Sequence, residues 1–245
     1  MSNTVLLDNV RHARLRVLAG HGEAFGDKIN QAPLFVTEFA EAQRHYPILF
    51  RKDEAGLLQA LAILGFERDE NLFLTGDAWE GYVPALIRRG PFLLRRPDGA
   101  GGSSPGQADP VLALDLDHPR VRDGGSQGAP LFLEHGGHAP ALEAAIAALQ
   151  QIHVGAEAAA TMQRLFEGMD LVEPVTLRVQ LSDSQAINFE GFLAIGGDRI
   201  AMLDGPQLQE LNRAGVLTAA IHAASSLGNM AHLIARKRRR AGNPA

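Results

Sequence analysis

Short apolar runs cut by proline and glycine fill the first 130 residues of this chain, and that punctuation constrains its fold more than any other feature. A proline removes a backbone donor and clashes with the preceding helical turn, so long helices are excluded wherever prolines interrupt an apolar run. Residues 82–96, YVPALIRRGPFLLRR, hold Pro84 and Pro91. The pattern predicts a short helix from Pro84 to Arg89, a stop at Gly90-Pro91, and a strand over Phe92 to Leu94. Further strands are predicted within residues 4–19, around 33–36, at 48–50, at 71–74 and at 111–116, where VLALDL alternates. A short helix over Glu38 to His45 follows Thr37 as its N-cap. Residues 59–66 are apolar but too few to separate strand from helix by period. Residues 97–110, PDGAGGSSPGQADP, read as a flexible loop by composition, and 118–130 as a second loop.

The pattern changes near residue 140. Leu142, Ile146, Leu149 and Ile152 recur at helical spacing. Gly155 breaks that pattern, and a second helix carries Met162, Leu165, Phe166 and Met169. A strand over 175–181 follows, then a hairpin of 189–195 with 200–203 about Gly196-Gly197-Asp198-Arg199, then a helix with apolar positions from Leu217 to Ile234. This order predicts an α+β fold with mixed, largely antiparallel sheets, a helical pair and a C-terminal helix. A single domain over 1–245 is expected, without the regular alternation of a doubly wound sheet.

Composition removes several function classes. The 245 residues include no cysteine, which excludes disulfides, thiolate metal sites and a cysteine nucleophile. No stretch reaches the roughly 18 consecutive apolar residues of a membrane span, and the first residues lack the pattern of a secretory signal, so a cytoplasmic protein is expected. The net charge is −5, yet Arg236, Lys237, Arg238, Arg239 and Arg240 hold five of the 23 basic residues. Residues 1–235 thus set 18 bases against 28 acids, a net −10. An acidic body does not match a phosphate backbone, so no nucleic-acid partner is expected for it. The basic tail, 236–245, reads as a solvated helix end with cations at its negative pole.

Candidate chemistry is sparse. G-x-S-x-G occurs around Ser104 and Ser126, but neither serine lies between a strand and a helix as a nucleophile elbow requires. His21-Gly-Glu23 has the spacing of part of a facial triad, a pattern common by chance. Asp115, Asp117, His135 and His138 could form a metal site if their loops meet; otherwise they are polar turn residues. The densest unusual cluster joins Trp79, the one tryptophan, with Tyr82, Arg88 and Arg89. Such a set suits an anion, a peptide or a sugar, or else the aromatics pack in the core while the arginines face solvent.

An ordered set of motifs goes further. Glu38-Phe39, Tyr46-Pro47-Ile48-Leu49-Phe50, Leu64-Gly65-Phe66, Glu70-Asn71-Leu72-Phe73, Trp79, Tyr82-Val83-Pro84-Ala85, Arg88-Arg89 and Pro91-Phe92 follow one another in the first 92 residues. His12, Leu131-Phe132, Gly191-Phe192 and the Leu217 to Asn229 segment extend the pattern. Over about residues 5–236 the chain resembles the bacterial SapC-like family. It departs at Gly90, where an aromatic would be expected, in the glycine-rich 97–109 loop, and beyond Arg236. The resemblance implies a protein of about this length with no settled catalytic motif, linked with the bacterial surface (S) layer. It does not imply the peptide-transport permease of the same name, which would need several membrane helices. The expected function is a non-catalytic binding or accessory protein, with a protein or peptide partner, in surface-layer or envelope biogenesis. The alternative is a metal-dependent enzyme using His12 or the Asp and His residues named above. No cofactor or oligomeric state is implied.

Overall fold

A computed structural model describes residues 3–95, 110–182 and 185–242. The 97–109 part of the first loop, the serine motif around Ser104 and residues 243–245 lie outside the described residues.

In chain order the elements are β1 (Thr4–Leu6), β2 (Leu15–Val17), β3 (Gln31–Leu34), α1 (Phe39–Ala42), β4 (Ile48–Lys52), β5 (Leu58–Ile63), β6 (Leu74–Thr75), β7 (Ala78–Trp79), α2 (Ala85–Arg88), β8 (Phe92–Arg95), β9 (Val111–Asp115), β10 (Val121–Asp123), β11 (Ala129–Pro130), α3 (Pro140–Gly168), β12 (Val172–Ser182), β13 (Gln185–Ile195), α4 (Gly197–Ala201), α5 (Gly205–Arg213), α6 (Leu217–Ser226) and α7 (Asn229–Arg240). The main sheet has the order β12-β13-β4-β5-β3, antiparallel at every pairing. Pro33 lies in β3, at its edge, where a strand tolerates a missing donor. A smaller antiparallel sheet has the order β1-β9-β8, and β2 is flanked by β10 and β11. The α+β expectation holds.

Two apolar clusters form. The larger packs α6 and the second half of α3 on the main sheet, with Phe39, Tyr46, Ile48, Leu49, Phe50 and Phe166 fully buried. The smaller joins Phe92 and Leu114 of the β1-β9-β8 sheet to Leu142, Ala145 and Leu149 at the start of α3. The helix therefore spans both cores, over about 43 Å at 1.5 Å per residue.

Several readings are corrected. Residues 118–130, read as a loop, carry β10 and β11. Thr37 is no N-cap but lies inside a 3-10 turn, Val36–Glu38, that precedes α1. Leu72 and Phe73 form a turn, and the strand begins only at Leu74. Gly155 interrupts nothing: α3 is one helix of 29 residues, and Gly155 is buried within it. The 189–195 segment pairs with residues 172–177 and not with 200–203; Gly197–Ala201 is a short helix. The final helix is divided into α6 and α7. At the division Leu227, Gly228 and Met230 donate to carbonyls three residues back, while Ser226 Oγ accepts from Ile48 N at 2.8 Å and Asn229 Nδ2 donates to Gln43 O at 2.7 Å. Bonds to the rest of the molecule tighten that turn.

The basic run is a solvated helix end only in part: Arg239 and Arg240 are exposed, but Lys237 is buried. Lys237 is 8% exposed and its Nζ lies 2.6 Å from both Glu67 Oε2 and Glu70 Oε1. Arg236 pairs with Glu80 at 2.7 Å and stacks over Phe73. Arg240 donates to Asn71 O at 2.9 Å and to Leu74 O. The acids of the 67–80 segment and its backbone carbonyls absorb most of this charge locally.

Candidate functional site

The aromatic-arginine cluster closes on a buried carboxylate. Glu38 is fully buried and accepts hydrogen bonds from Phe35 N at 2.9 Å, Ala85 N at 2.7 Å and Tyr82 Oη at 2.9 Å. Burial raises its pKa above the usual glutamate value, opposed by those three bonds and by the nearby Arg88. Arg88 donates from Nη2 to Tyr82 Oη at 3.0 Å and to Gln151 Oε1 of α3, and from Nε to Val83 O at 2.9 Å. Trp79 is 9% exposed. Its Nε1–H donates to Tyr46 Oη at 2.8 Å, and that hydroxyl donates to Tyr82 O at 2.5 Å. Trp79, Tyr82 and Arg88 thus belong to one network that ties α2, the turn before α1 and α3 together. Arg89 points elsewhere in its bonding: Nη1 donates to Phe92 O at 2.7 Å.

Glu38 and Tyr46 are the residues the sequence reading did not single out as functional. Glu38 stands three residues after Phe35, the spacing at which a glutamate side chain turns back to the backbone N–H before a helical turn. Nothing local marks Tyr46, whose partners are 33 and 36 residues away.

The four candidate metal ligands fall in three places. Asp115 ends β9 and accepts from Asp117 N at 3.2 Å. Asp117 accepts from Asn3 N at 3.1 Å. His135 lies in the turn Leu133–Gly137, and His138 is bridged to Phe132 at its base. Among the described residues no group of three or more His, Asp or Glu side chains could hold a metal ion. His12, offered for the enzyme reading, accepts from Asp8 N through Nδ1 at 3.0 Å.

His138 does border an apolar concavity. Between the β8–β9 face and the first half of α3 lies a groove of about 560 Å³. Its walls come from Leu7, Leu94, Leu112, Phe132, Ile146 and Leu149. Strand alternation explains the first wall: Leu94 and Leu112 are cross-strand partners and project to the same face as Phe92 and Leu114, the pair that packs under α3. Helical spacing explains the second, since Ile146, Leu149 and His153 share one side of α3. The rim is polar, with Asp8, Asn9, His138, Gln150 and His153. Asp8 accepts from Val10 N at 2.9 Å and Arg11 N at 2.7 Å, and these bonds lower its pKa below the usual aspartate value. Asn9 Nδ2 donates to Gly136 O at 3.3 Å and holds the two rim turns together. The groove therefore offers an apolar floor with one fixed negative charge and two imidazoles at its edge.

The family model described as SapC matches residues 7–233. No curated protein and no solved structure matches the chain. No helix among the described residues is long and apolar enough to cross a membrane.

Proposed function

The chain belongs to the SapC family, and from that premise we propose that it is a non-catalytic binding or accessory protein whose binding site is the groove between the β8–β9 face and α3. The carrying observation is the groove itself. Its volume of about 560 Å³ lies in the range of roughly 300–1,000 Å³ usual for ligand sites, and its apolar walls with a few polar rim groups have the usual composition of such sites. An apolar side chain of a peptide fits the floor, and a cationic or amide group beside it would meet Asp8, Asn9 and Gln150. The resemblance to S-layer-associated proteins supports a role in bacterial surface-layer or envelope biogenesis, exercised from the cytoplasm. Fractionation of cells expressing the untagged chain tests that location, and recovery outside the soluble cytoplasmic fraction overturns it.

The site is tested by Ile146→Arg, which places a charged side chain in the groove from a half-buried helix position. Circular dichroism and melting first establish that the variant folds. Wild type should then retain a peptide or protein partner from a lysate of its source organism, and the variant should lose it. Equal capture by the two proteins, or no specific capture by wild type, removes the proposal.

A further inference from the structure

A second cavity lies across β8 from the groove, where Leu93 rather than Leu94 faces it. It measures about 170 Å³. Arg89 at the end of α2, Asp115 at the end of β9, His118 and Arg120 in the following turn, and Asp27 supply its polar lining. The two guanidinium groups are used very differently. Arg120 is 7% exposed; Nη2 sits 2.9 Å from Asp27 Oδ2, Nη1 donates to Gly20 O and Leu18 O, and the group stacks over Phe25 at 4.1 Å. It is neutralised in place. Arg89 is half-buried and donates from Nη1 to the Phe92 carbonyl. Among the described residues no carboxylate forms an ion pair with it, and burial lowers its pKa with no acid opposing the shift. A half-buried guanidinium with no carboxylate partner among the described residues leaves donors free to meet an anion in the cavity.

His118 supplies a second donor. Its Nδ1 accepts from Arg120 N at 3.1 Å, so the neutral ring carries its proton on Nε2. Burial, with Arg120 and Arg89 nearby, holds the imidazole below its usual pKa despite the opposing pull of Asp115 and Asp27. Asp27 is occupied by Arg120, His21 and Gly22 N. Asp115 accepts from Asp117 N, and its charge would disfavour an anion that came too close.

We propose that this cavity is an oxyanion site, in which the Arg89 guanidinium and the His118 Nε2–H hold the carboxylate or phosphate group of a small molecule. The cavity, at about 170 Å³, is large enough to admit such a group. The site is independent of the groove reading, since it shares none of the groove's lining residues.

Isothermal titration of the wild-type chain with acetate, inorganic phosphate and neutral acetamide tests it. Small anions of this size should bind with Kd on the order of a millimolar, and acetamide should not bind. Acetate binding without phosphate binding assigns a carboxylate ligand, and the reverse assigns a phosphate. On binding, the His118 side-chain resonances of wild type should shift in a long-range ¹H–¹⁵N spectrum, a readout that needs no variant. Arg89→Gln should lose the heat of binding, and Arg89→Lys should restore part of it. Absence of binding by both anions, equal binding of acetamide, or His118 resonances unmoved at saturation overturns the proposal.

Discussion

Gly155 lies in the middle of α3 directly against Phe35: a Cβ built on Gly155 would collide with Phe35 Cβ and stand 2.9 Å from Thr37 Oγ1. The approach is held by paired bonds, because Thr37 Oγ1 donates to Gln151 O at 3.0 Å and Gln151 Nε2 donates to Thr37 O at 3.1 Å. Two effects compete in Gly155→Ala. Helix propensity favours alanine by about 1 kcal/mol. Overpacking against a fixed Cβ costs about 1–3 kcal/mol. The collision is with the root of a side chain and not a flexible end, so the variant should be less stable in urea, by about 1 kcal/mol net. Gly168→Ala, near the end of the same helix with nothing within 4 Å, should gain up to about 1 kcal/mol. If Gly155→Ala were as stabilising as Gly168→Ala, the close approach would not exist.

The Trp79–Tyr46 bond makes a second prediction. Tyr46→Phe removes the hydroxyl that accepts from Trp79 Nε1–H and donates to the Tyr82 carbonyl. The ring remains, edge-on to Phe73 at 4.6 Å between centroids, so packing changes little. A buried donor left unsatisfied costs about 1–3 kcal/mol. Urea unfolding followed by the fluorescence of Trp79 should show a loss of that size. A change under about 0.5 kcal/mol, the range of ordinary surface substitutions, would mean that water or another group replaces the hydroxyl.

Glu38 gives a pH dependence with a definite sign. Burial raises its carboxyl above 4.5 in the native protein. Between that unfolded value and the higher native one, the native state binds more protons than the unfolded chain. Stability contributed through Glu38 is therefore full below 4.5 and falls as pH rises through this window. Glu38→Gln carries no such proton. It should cost about 1–3 kcal/mol at acidic pH by weakening the three hydrogen bonds, and this deficit should shrink as pH rises. Denaturation midpoints of both proteins across the window decide the point: a deficit that widens with pH gives the opposite sign and refutes the raised pKa.

How much of this was legible in the sequence depends on the range of the interactions. The short β8 strand and the α2 turn follow from Pro84, Gly90 and Pro91, because proline and glycine act on their own backbone. The continuity of α3 is not legible from local propensity, because the place of Gly155 is set by Phe35, some 120 residues away in sequence. The same holds for the turn after β13. Gly196-Gly197-Asp198-Arg199 has turn chemistry, but it opens a helix, and Arg199 is held by Glu173 at 2.8 Å. In the candidate site, periodicity showed an apolar face on α3 at Ile146 and Leu149, and alternation showed one at 111–116. That these faces diverge enough to leave a groove is a matter of tertiary geometry, which neither period encodes.

The basic run yields the last prediction, through two of its cations, one buried and ion-paired and one exposed. Lys237 is buried between Glu67 and Glu70, and Glu70 is itself only 14% exposed. Lys237→Met keeps most of the aliphatic stem and removes the charge, leaving the partly buried Glu70 without its ion-pair partner. Removing one partner of a fully buried pair costs about 3–5 kcal/mol. Here Glu67 is half in solvent, so a smaller loss of about 1–3 kcal/mol is expected. Arg239 is exposed, and Arg239→Ala should change stability by less than about 0.5 kcal/mol. Both variants remove one positive charge, so any process that depends on the net charge of the run should respond equally to both. Urea unfolding should instead separate them, with Lys237→Met alone destabilised. Equal effects of the two substitutions would return the run to the status of a solvated cationic surface.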